Sequence, residues 1–294
     1  MKPKYKLLDE VVLDALRFLG DRKPKPLGLL PDRRRLVVGS GNALPTGRVL
    51  FRDEDAVFAD EGQYRQALQR VPTIDAAAVI SASGVKHAPV IVADLLRRRL
   101  PTALITCNGK SEAAGLLRKA KGRVIETPSL PEPRTYNTST YLGMILAKTR
   151  EAPEAIRRHI LRRVSPRVPG GLGRYAAYYL IVPPEFDDLR PMFITKFDEL
   201  FGPRVCGRCY TLEQTKHAKT VIPSPSELFI SFGCGNKWFG LKGRRLEIPL
   251  PRKADAAAMI AVAYYVIGRI QRAKPPWFLR NIDRYAAVQD RLFG

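Results

Sequence analysis

The stretch from residue 81 to 86 reads Ser-Ala-Ser-Gly-Val-Lys and has the residue types needed to hold a phosphate group. It follows an apolar run at 76–80 and precedes a helical pattern. A glycine lets the backbone turn, serine hydroxyls donate hydrogen bonds, and the first N–H groups of a helix attract anions. The same residue types also cap a strand-to-helix turn without binding anything, which is the alternative. The candidate phosphate-binding residues of this stretch are Ser81, Ser83, Gly84 and Lys86.

A pair of cysteines, Cys206 and Cys209, has the C-x-x-C spacing of some metal and redox sites. With His217 and Cys234 the full pattern is C-x2-C-x7-H-x16-C, which matches no common zinc site. The two cysteines would also lie on opposite faces of a strand. We therefore expect no metal site, and the chain has too few cysteines for a disulfide scaffold.

The chain is strongly basic, with 50 Lys and Arg against 28 Asp and Glu, a net charge of +22. Such a charge favours anionic partners, including nucleic acid. The basic residues are scattered along the sequence, however, and no helix-turn-helix, zinc-finger or RNP motif accompanies them. We interpret the charge as a solvated basic surface. A nucleic-acid binder is the alternative, and it predicts a continuous basic face and steep salt dependence.

Strand and helix patterns alternate from residue 35 to 150, which predicts a parallel sheet with helical crossovers. A charged and then Pro- and Gly-rich linker at 151–173 separates it from a second alternation at 174–294. The predicted domains are thus an N-terminal helix and connector (1–34) and two α/β units. An apolar helix at 256–270 is a candidate either for a subunit interface or for core packing.

A cytoplasmic protein is expected from the remaining composition. Hydrophobic residues make up 45% of the chain, enough for a buried core. Acidic residues, among them Asp9 and Asp14, interrupt the N-terminal region, so it does not have the pattern of a signal peptide. The longest apolar run, at 256–268, is too short to span a bilayer.

Four separate motifs resemble those of the sugar isomerase (SIS) family, in particular tagatose-type ketose isomerases and the isomerase domain of glucosamine-6-phosphate synthase. The similarity extends over about residues 35 to 146. The motifs are Val38-Gly-Ser-Gly-Asn42, Ser81-Ala-Ser-Gly84, Leu104-Ile-Thr-Cys-Asn108 and Glu132-Pro-Arg-Thr-Tyr-Asn-Thr-Ser-Thr-Tyr141.

The resemblance implies two flavodoxin-like three-layer α/β/α units with parallel sheets, the second one divergent. It implies a phosphorylated sugar as ligand, no cofactor, and a homodimer with sites near the subunit interface. The activity it implies is aldose–ketose isomerisation of a sugar phosphate, or a related deaminase or deglycase reaction, through an enediol or enediolamine. The alternative is a sugar-phosphate sensor that retains the phosphate cradle and has lost catalysis.

The resemblance also assigns roles to particular residues. Glu199 corresponds to the base that moves the proton, and His217, 18 residues later, to the group that opens the sugar ring, often in the neighbouring subunit's site. Arg134 would stabilise the enediol, while Ser40 and Thr138 would join the phosphate cradle. Glu213 is a competing base, or it orients the imidazole of His217.

This chain departs from the family pattern at several positions. Lys86 stands where the phosphate loop normally has threonine, and Ala218 replaces the glycine that follows the histidine. The second α/β unit begins with Leu180-Ile-Val-Pro-Pro184, without a glycine-rich turn. We therefore expect the second unit to lack a phosphate loop of its own.

Overall fold

The computed structural model describes residues 5–22, 24–28, 33–218 and 222–293. Parts of the predicted N-terminal segment (residues 1–4, 23 and 29–32) lie outside this range. The chain forms two compact units. We call Arg22–Leu130 with Ser139–Arg150 the N-terminal unit, and Met1–Asp21, Pro131–Thr138 and Glu151–Gly294 the C-terminal unit.

The N-terminal unit is built from five strands and the helices that connect them. Its strands are β1 (Arg35–Gly39), β2 (Ala56–Ala59), β3 (Ala76–Ile80), β4 (Thr102–Thr106) and β5 (Arg123–Glu126). Its helices are α2 (Ala43–Leu50), α3 (Tyr64–Arg70), α4 (Ala88–Arg97) and α5 (Glu112–Lys119), and it includes most of α6 (Thr138–Thr149).

All five strands are parallel, in the order β2-β1-β3-β4-β5. Every residue of the central strands β1 and β3 is buried. This explains their continuous apolar sequences, since helices cover both faces of a parallel sheet. Helix α2 was not predicted: Pro45 and Gly47 lower the helix propensity of the sequence, but proline is tolerated in a first turn.

The C-terminal unit contains a smaller sheet and most of the long helices. Its strands are β6 (Ala177–Val182), β7 (Cys206–Thr211), β8 (Glu227–Phe232) and β9 (Arg245–Ile248). Its helices are α1 (Leu8–Arg22), α7 (Pro153–His159), α8 (Arg190–Phe201), α9 (Leu212–Ala218), α10 (Ala256–Ala273) and α11 (Trp277–Phe293).

The second sheet repeats the topology of the first. Its strands are parallel in the order β7-β6-β8-β9, so β6 corresponds to β1, β7 to β2, β8 to β3 and β9 to β4. The order is that of flavodoxin-like folds. The predicted fold class of two parallel α/β units, the second one divergent, is therefore confirmed.

Helix α10 forms the core of the C-terminal unit. Every residue from Ala256 to Gly268 is buried, as expected for a helix that is apolar on all sides. At Gly268 an added Cβ would lie 2.1 Å from the backbone nitrogen of Asp9, so α1 and α10 pack with their backbones close together. Of the two predictions for this helix, core packing is confirmed. Within the described residues, none of the helices is both long and apolar enough to span a membrane.

Candidate functional site

A tight glycine turn follows β1. An added Cβ on Gly39 would lie 2.6 Å from the carbonyl carbon of Ala43, and Gly41 has a left-handed φ of +54°. The N–H of Ala43 donates to the carbonyl of Ser40 over 3.1 Å, which closes the turn at the start of α2. Both glycines are therefore required, one by close approach and the other by conformation.

A second glycine loop, residues 81–84, follows β3; we call it the phosphate loop, after the role that the sequence predicts for it. Gly84 has a φ of +67°, and an added Cβ would lie 2.2 Å from the Oγ of Ser111. Ser111 is the N-cap of α5 and accepts a hydrogen bond from the N–H of Ala114. The N–H of Ala113 donates to the carbonyl of Gly84 over 3.3 Å. The loop is thus seated against the first turn of α5, with space only for glycine at position 84.

The two serines of the phosphate loop have different roles. The Oγ of Ser81 accepts a hydrogen bond from the N–H of Gly84 over 3.1 Å, so it holds the shape of the loop. The side chain of Ser83 is exposed, and its hydroxyl has no hydrogen-bond partner in the part of the chain that the structure describes. Ser83 is therefore the serine able to donate to a ligand.

The carbonyl of Ala82 fixes the loop to the end of β4. It accepts hydrogen bonds from the Oγ1 of Thr106 and the N–H of Cys107, each over 3.1 Å. Beyond the loop Lys86 is exposed, and helix α4 begins at Ala88 with Pro89 in its first turn. Proline has no N–H, so this helix N-terminus offers one donor fewer than expected.

The two glycine loops flank the topological switch point of the N-terminal sheet. Strand order reverses between the neighbours β1 and β3, and one loop follows each of them. In doubly wound sheets, ligands bind in the crevice outside the carboxyl ends of the strands at this point. The predicted cradle residues Ser40, Ser81, Ser83 and Gly84 therefore lie in loops at this edge, in one compact unit. Thr138, the remaining predicted cradle residue apart from Lys86, belongs to the C-terminal unit by its contacts.

The segment 131–138 of the C-terminal unit is a strained turn. Thr135 and Asn137 both have left-handed backbones, with φ values of +74° and +47°. This conformation is unusual for a β-branched residue such as threonine, and strain of this kind is concentrated at functional sites. The carboxylate of Glu132 accepts a hydrogen bond from the N–H of Thr138 over 2.6 Å and caps α6. The Oγ1 atoms of Thr135 and Thr138 are buried without a partner among the described residues.

A buried lysine holds this turn in place. Lys196 on α8 is completely buried, and its Nζ donates to the carbonyls of Thr135 (2.9 Å) and Tyr136 (3.1 Å). The same Nζ lies 2.7 Å from a carboxylate oxygen of Glu199. Sequence reasoning did not identify Lys196. A signal was present, since Lys196 lies four residues from Met192 and from Leu200 on an apolar helix face.

Glu199 lines a cavity of the C-terminal unit. The cavity is about 210 Å³ and is lined by Thr135, Glu199 and Tyr285, among others. Burial raises the pKa of Glu199, although the charge and hydrogen bond of Lys196 oppose it. Burial also raises the pKa of Tyr285, and there the charge of Glu199 adds to the shift while that of Arg134 reduces it. Both predicted catalytic groups are therefore close to the same tyrosine.

The two candidates on α9 are not hydrogen-bonded to each other. The carboxylate of Glu213 accepts from the Nζ of Lys216 over 2.7 and 2.8 Å, so it does not orient His217 here. His217 lies in the last turn of α9 with an exposed side chain. Ala218, which stands where the family pattern has glycine, has a side chain outside the described part of the structure.

A glycine-rich loop occupies the position in the second unit that corresponds to the phosphate loop. It follows β8, the counterpart of β3, and contains Gly233 with a φ of +65° and Gly235. The loop lines a cavity of about 360 Å³ with Arg167 and Glu247. The second unit therefore does contain a glycine-rich turn, after β8, whereas Pro183 and Pro184 follow β6, the counterpart of β1. That this unit lacks a phosphate loop of its own stays a prediction.

All four cysteines are free thiols. In the described residues, no group of three or more His, Cys, Asp or Glu side chains is placed to hold a metal ion. Cys206 is exposed while Cys209 is buried, as expected for positions on opposite faces of strand β7. Burial raises the pKa of the Cys209 thiol, which makes it unreactive.

No protein-family model and no curated protein sequence matches this chain. Solved structures do match it over most of its length. A glucosamine-6-phosphate deaminase from Thermotoga maritima is 14% identical with a TM-score of 0.59, over 92% of this chain and 93% of that one. A tagatose-6-phosphate ketose/aldose isomerase from Escherichia coli is 11% identical with a TM-score of 0.60, over 91% of both chains. A hypothetical protein from Thermus thermophilus has a TM-score of 0.61 at 13% identity, over 98% of this chain and 89% of that one.

These similarities are similarities of fold. The chain has the two-unit SIS-type fold of phosphosugar isomerases and of a phosphosugar deaminase. The resemblance stated from the four sequence motifs is confirmed at this level.

Proposed function

We propose that this chain binds a sugar phosphate at the phosphate loop and catalyses an isomerase or deaminase reaction on it. The observation that carries the proposal is the position of this loop at the β1/β3 switch point. There it presents the exposed hydroxyl of Ser83 beside a glycine that tolerates no side chain. The fold neighbours named above support the same ligand class.

The proposed chemistry is proton transfer between the C1 and C2 carbons of the open-chain sugar. Such a reaction requires a carboxylate whose pKa lies close to the working pH. Glu199 is our candidate for this base, because burial raises its pKa and it lines a cavity. Arg134 would stabilise the enediol, and His217 would open the sugar ring.

Each step of the proposed reaction conserves atoms. The base removes the proton from C2 of an aldose, the electron pair forms the C1–C2 double bond, and the carbonyl oxygen O1 takes up a proton to give the enediol. Return of a proton to C1, with loss of the proton from the C2 hydroxyl, gives the C2 carbonyl of the ketose. With an amino group at C2, reprotonation gives an imine that water hydrolyses, releasing ammonia.

The alternative is a sugar-phosphate sensor without turnover. Two observations favour it: Glu213 is engaged by Lys216, and Pro89 removes a donor from the helix that follows the phosphate loop.

The first test is thermal stabilisation by hexose 6-phosphates and amino-hexose 6-phosphates, with the unphosphorylated sugars as controls. We expect a shift that requires the phosphate and is lost in Ser83→Ala. Thr73→Ala is the control for loss of an exposed hydroxyl away from the loop: Thr73 precedes β3, at the other end of the strand, where its hydroxyl accepts a hydrogen bond from Arg34 over 2.7 Å. If no sugar phosphate stabilises the protein, both functions are wrong.

The second test separates the enzyme from the sensor. Glu199→Gln should bind the same ligand and lower kcat by about 10²- to 10⁴-fold. A wild-type protein that binds the ligand but does not turn it over would support the sensor.

A further inference from the structure

A cavity of about 480 Å³ opens at the opposite end of the N-terminal sheet from the phosphate loop. Its lining includes the first residues of β1, β3, β4 and β5. A strand rises about 3.3 Å per residue. The five residues of β3 therefore place the cavity roughly 15 Å from the phosphate loop.

The interior of this cavity is lined by small and apolar residues. Larger side chains would fill the space that is left by Ala76, Ala77, Ala103, Ala120 and Gly122. The apolar wall is completed by Leu96 and Leu100. Its volume is within the range of small-molecule sites. An apolar ring or chain of a ligand would fit this interior.

The rim of the cavity is cationic. Its charged lining residues are Arg33, Arg35, Arg99, Lys121 and Arg123, and none of the described residues that line it is acidic. Arg35 pairs with Glu54, and Arg33 lies 3.9 Å from Asp75. The exposed side chains of Arg99 and Lys121 form no ion pair within the described part of the chain.

Arg99 and Lys121 also occupy backbone positions that normally favour glycine. They have left-handed φ values of +58° and +56°, just beyond the ends of α4 and α5. In each case the N–H of the left-handed residue and the N–H of the residue after it donate to carbonyls of the last helical turn. Arg99 donates to Leu96 and Leu100 to Leu95; Lys121 donates to Arg118 and Gly122 to Leu117. This is the Schellman motif, whose left-handed residue is usually glycine.

The helix dipole does not explain this choice of residues. A cation stabilises a helix C-terminus from any position in the last turn, without a left-handed backbone. A side chain in that conformation is less favourable than glycine, because its Cβ crowds the following carbonyl oxygen. Among the described residues, Arg99, Lys121 and Arg150 each carry this strain just beyond a helix end, and two of the three cations line this one cavity.

We propose that this cavity binds an organic anion of about nucleotide size, which is separate from the proposed sugar-phosphate function. The apolar ring or chain of the ligand enters the cavity. Its phosphate or sulfonate group meets Arg99 and Lys121 at the rim.

The test uses 8-anilinonaphthalene-1-sulfonate, a fluorescent aromatic sulfonate, titrated against the folded full-length chain. We expect saturable binding, which the double variant Arg99→Gly/Lys121→Gly weakens by about tenfold or more. Arg150→Gly is the matched control: Arg150 is also exposed and left-handed, with a φ of +62°, but it does not line the cavity.

The design separates binding from folding, since glycine relieves backbone strain. The double variant should keep or raise the Tm, so weaker binding would not reflect unfolding. Adenosine monophosphate should displace the probe, and adenosine should displace it at least tenfold more weakly. The proposal is wrong if the probe does not saturate, if the double variant binds like the wild type, or if nucleoside and nucleotide compete equally.

Discussion

The Nζ of Lys196 lies 2.7 Å from the carboxylate of Glu199, and the lysine is completely buried while the glutamate side chain is 21% exposed. The lysine also donates to two carbonyls of the strained turn at 135–136. One ammonium group thus connects the conformation of the turn to the ionisation of the proposed base. Lys196 is a positioning residue in this proposal.

Lys196→Met should destabilise the C-terminal unit by about 3–5 kcal/mol, because it leaves Glu199 without its charge partner and two carbonyls without a donor. It should also raise the pKa of Glu199 further, shifting the acid limb of the pH–rate profile upward. The stability measurement is urea unfolding at pH 7.

A double variant makes this prediction specific. In Lys196→Met/Glu199→Gln no carboxylate is left to ionise, so the loss should be smaller than the sum of the single losses by about 1–3 kcal/mol. Strict additivity would show that the two side chains do not interact.

Thr135→Gly should stabilise the protein by about 1 kcal/mol, since a left-handed backbone strains a β-branched residue and the Oγ1 has no partner to lose among the described residues. Asn137→Gly is the control, because asparagine tolerates this conformation and little change is expected. Thermal unfolding of both variants is the measurement. Equal shifts in the two variants would remove the argument for strain at Thr135.

Gly84→Ala should lower the free energy of unfolding by about 1–3 kcal/mol or more, because the new Cβ would clash with Ser111 and the left-handed backbone at this position favours glycine. Gly115→Ala provides the opposite expectation. Gly115 lies inside α5, nothing lies within 4 Å of an added Cβ, and alanine should stabilise by about 1 kcal/mol. Denaturant midpoints of the two variants should move in opposite directions.

Asp94 should make stability depend on pH. Burial alone would raise its pKa, but hydrogen bonds from Tyr64 and Arg65 and the charge of Arg98 outweigh burial and hold the pKa below its ordinary value of 3.8. A carboxylate with a lowered folded-state pKa stabilises the protein above the unfolded-state value, and this contribution is lost as the pH falls through the folded-state pKa.

Asp94→Asn should therefore cost about 1–3 kcal/mol at pH 7, and the difference from wild type should shrink below pH ~4. Asp75→Asn is the control, since Asp75 is half-exposed and its contact with Arg33 is long, at 3.9 Å. Urea unfolding at pH 7 and pH 3 measures both. A difference for Asp94→Asn that does not change with pH would contradict the assignment.

Much of this fold could be predicted from local patterns. The continuous apolar runs of β1 and β3 indicate strands buried on both faces, and the all-apolar sequence of α10 indicates a core helix. Helix α11 was not predicted, although Phe278, Ile282 and Tyr285 recur at helical spacing. What the local pattern could not give is its packing partner, since Phe278 stacks on the distant Tyr136 with ring centroids 5.4 Å apart.

The turn after β3 could be predicted from the sequence alone, because Gly84 permits the left-handed backbone that the turn requires and its effect is confined to a few residues. Only the tertiary structure decided which serine is exposed, that Lys196 is buried beside Glu199, and that five cations line one cavity. It also decided that the glycine loop after β8, and not the prolines after β6, corresponds to the phosphate loop. The physical reason is that strand order, burial and charge proximity depend on residues far apart in the chain. Turn chemistry depends on neighbours.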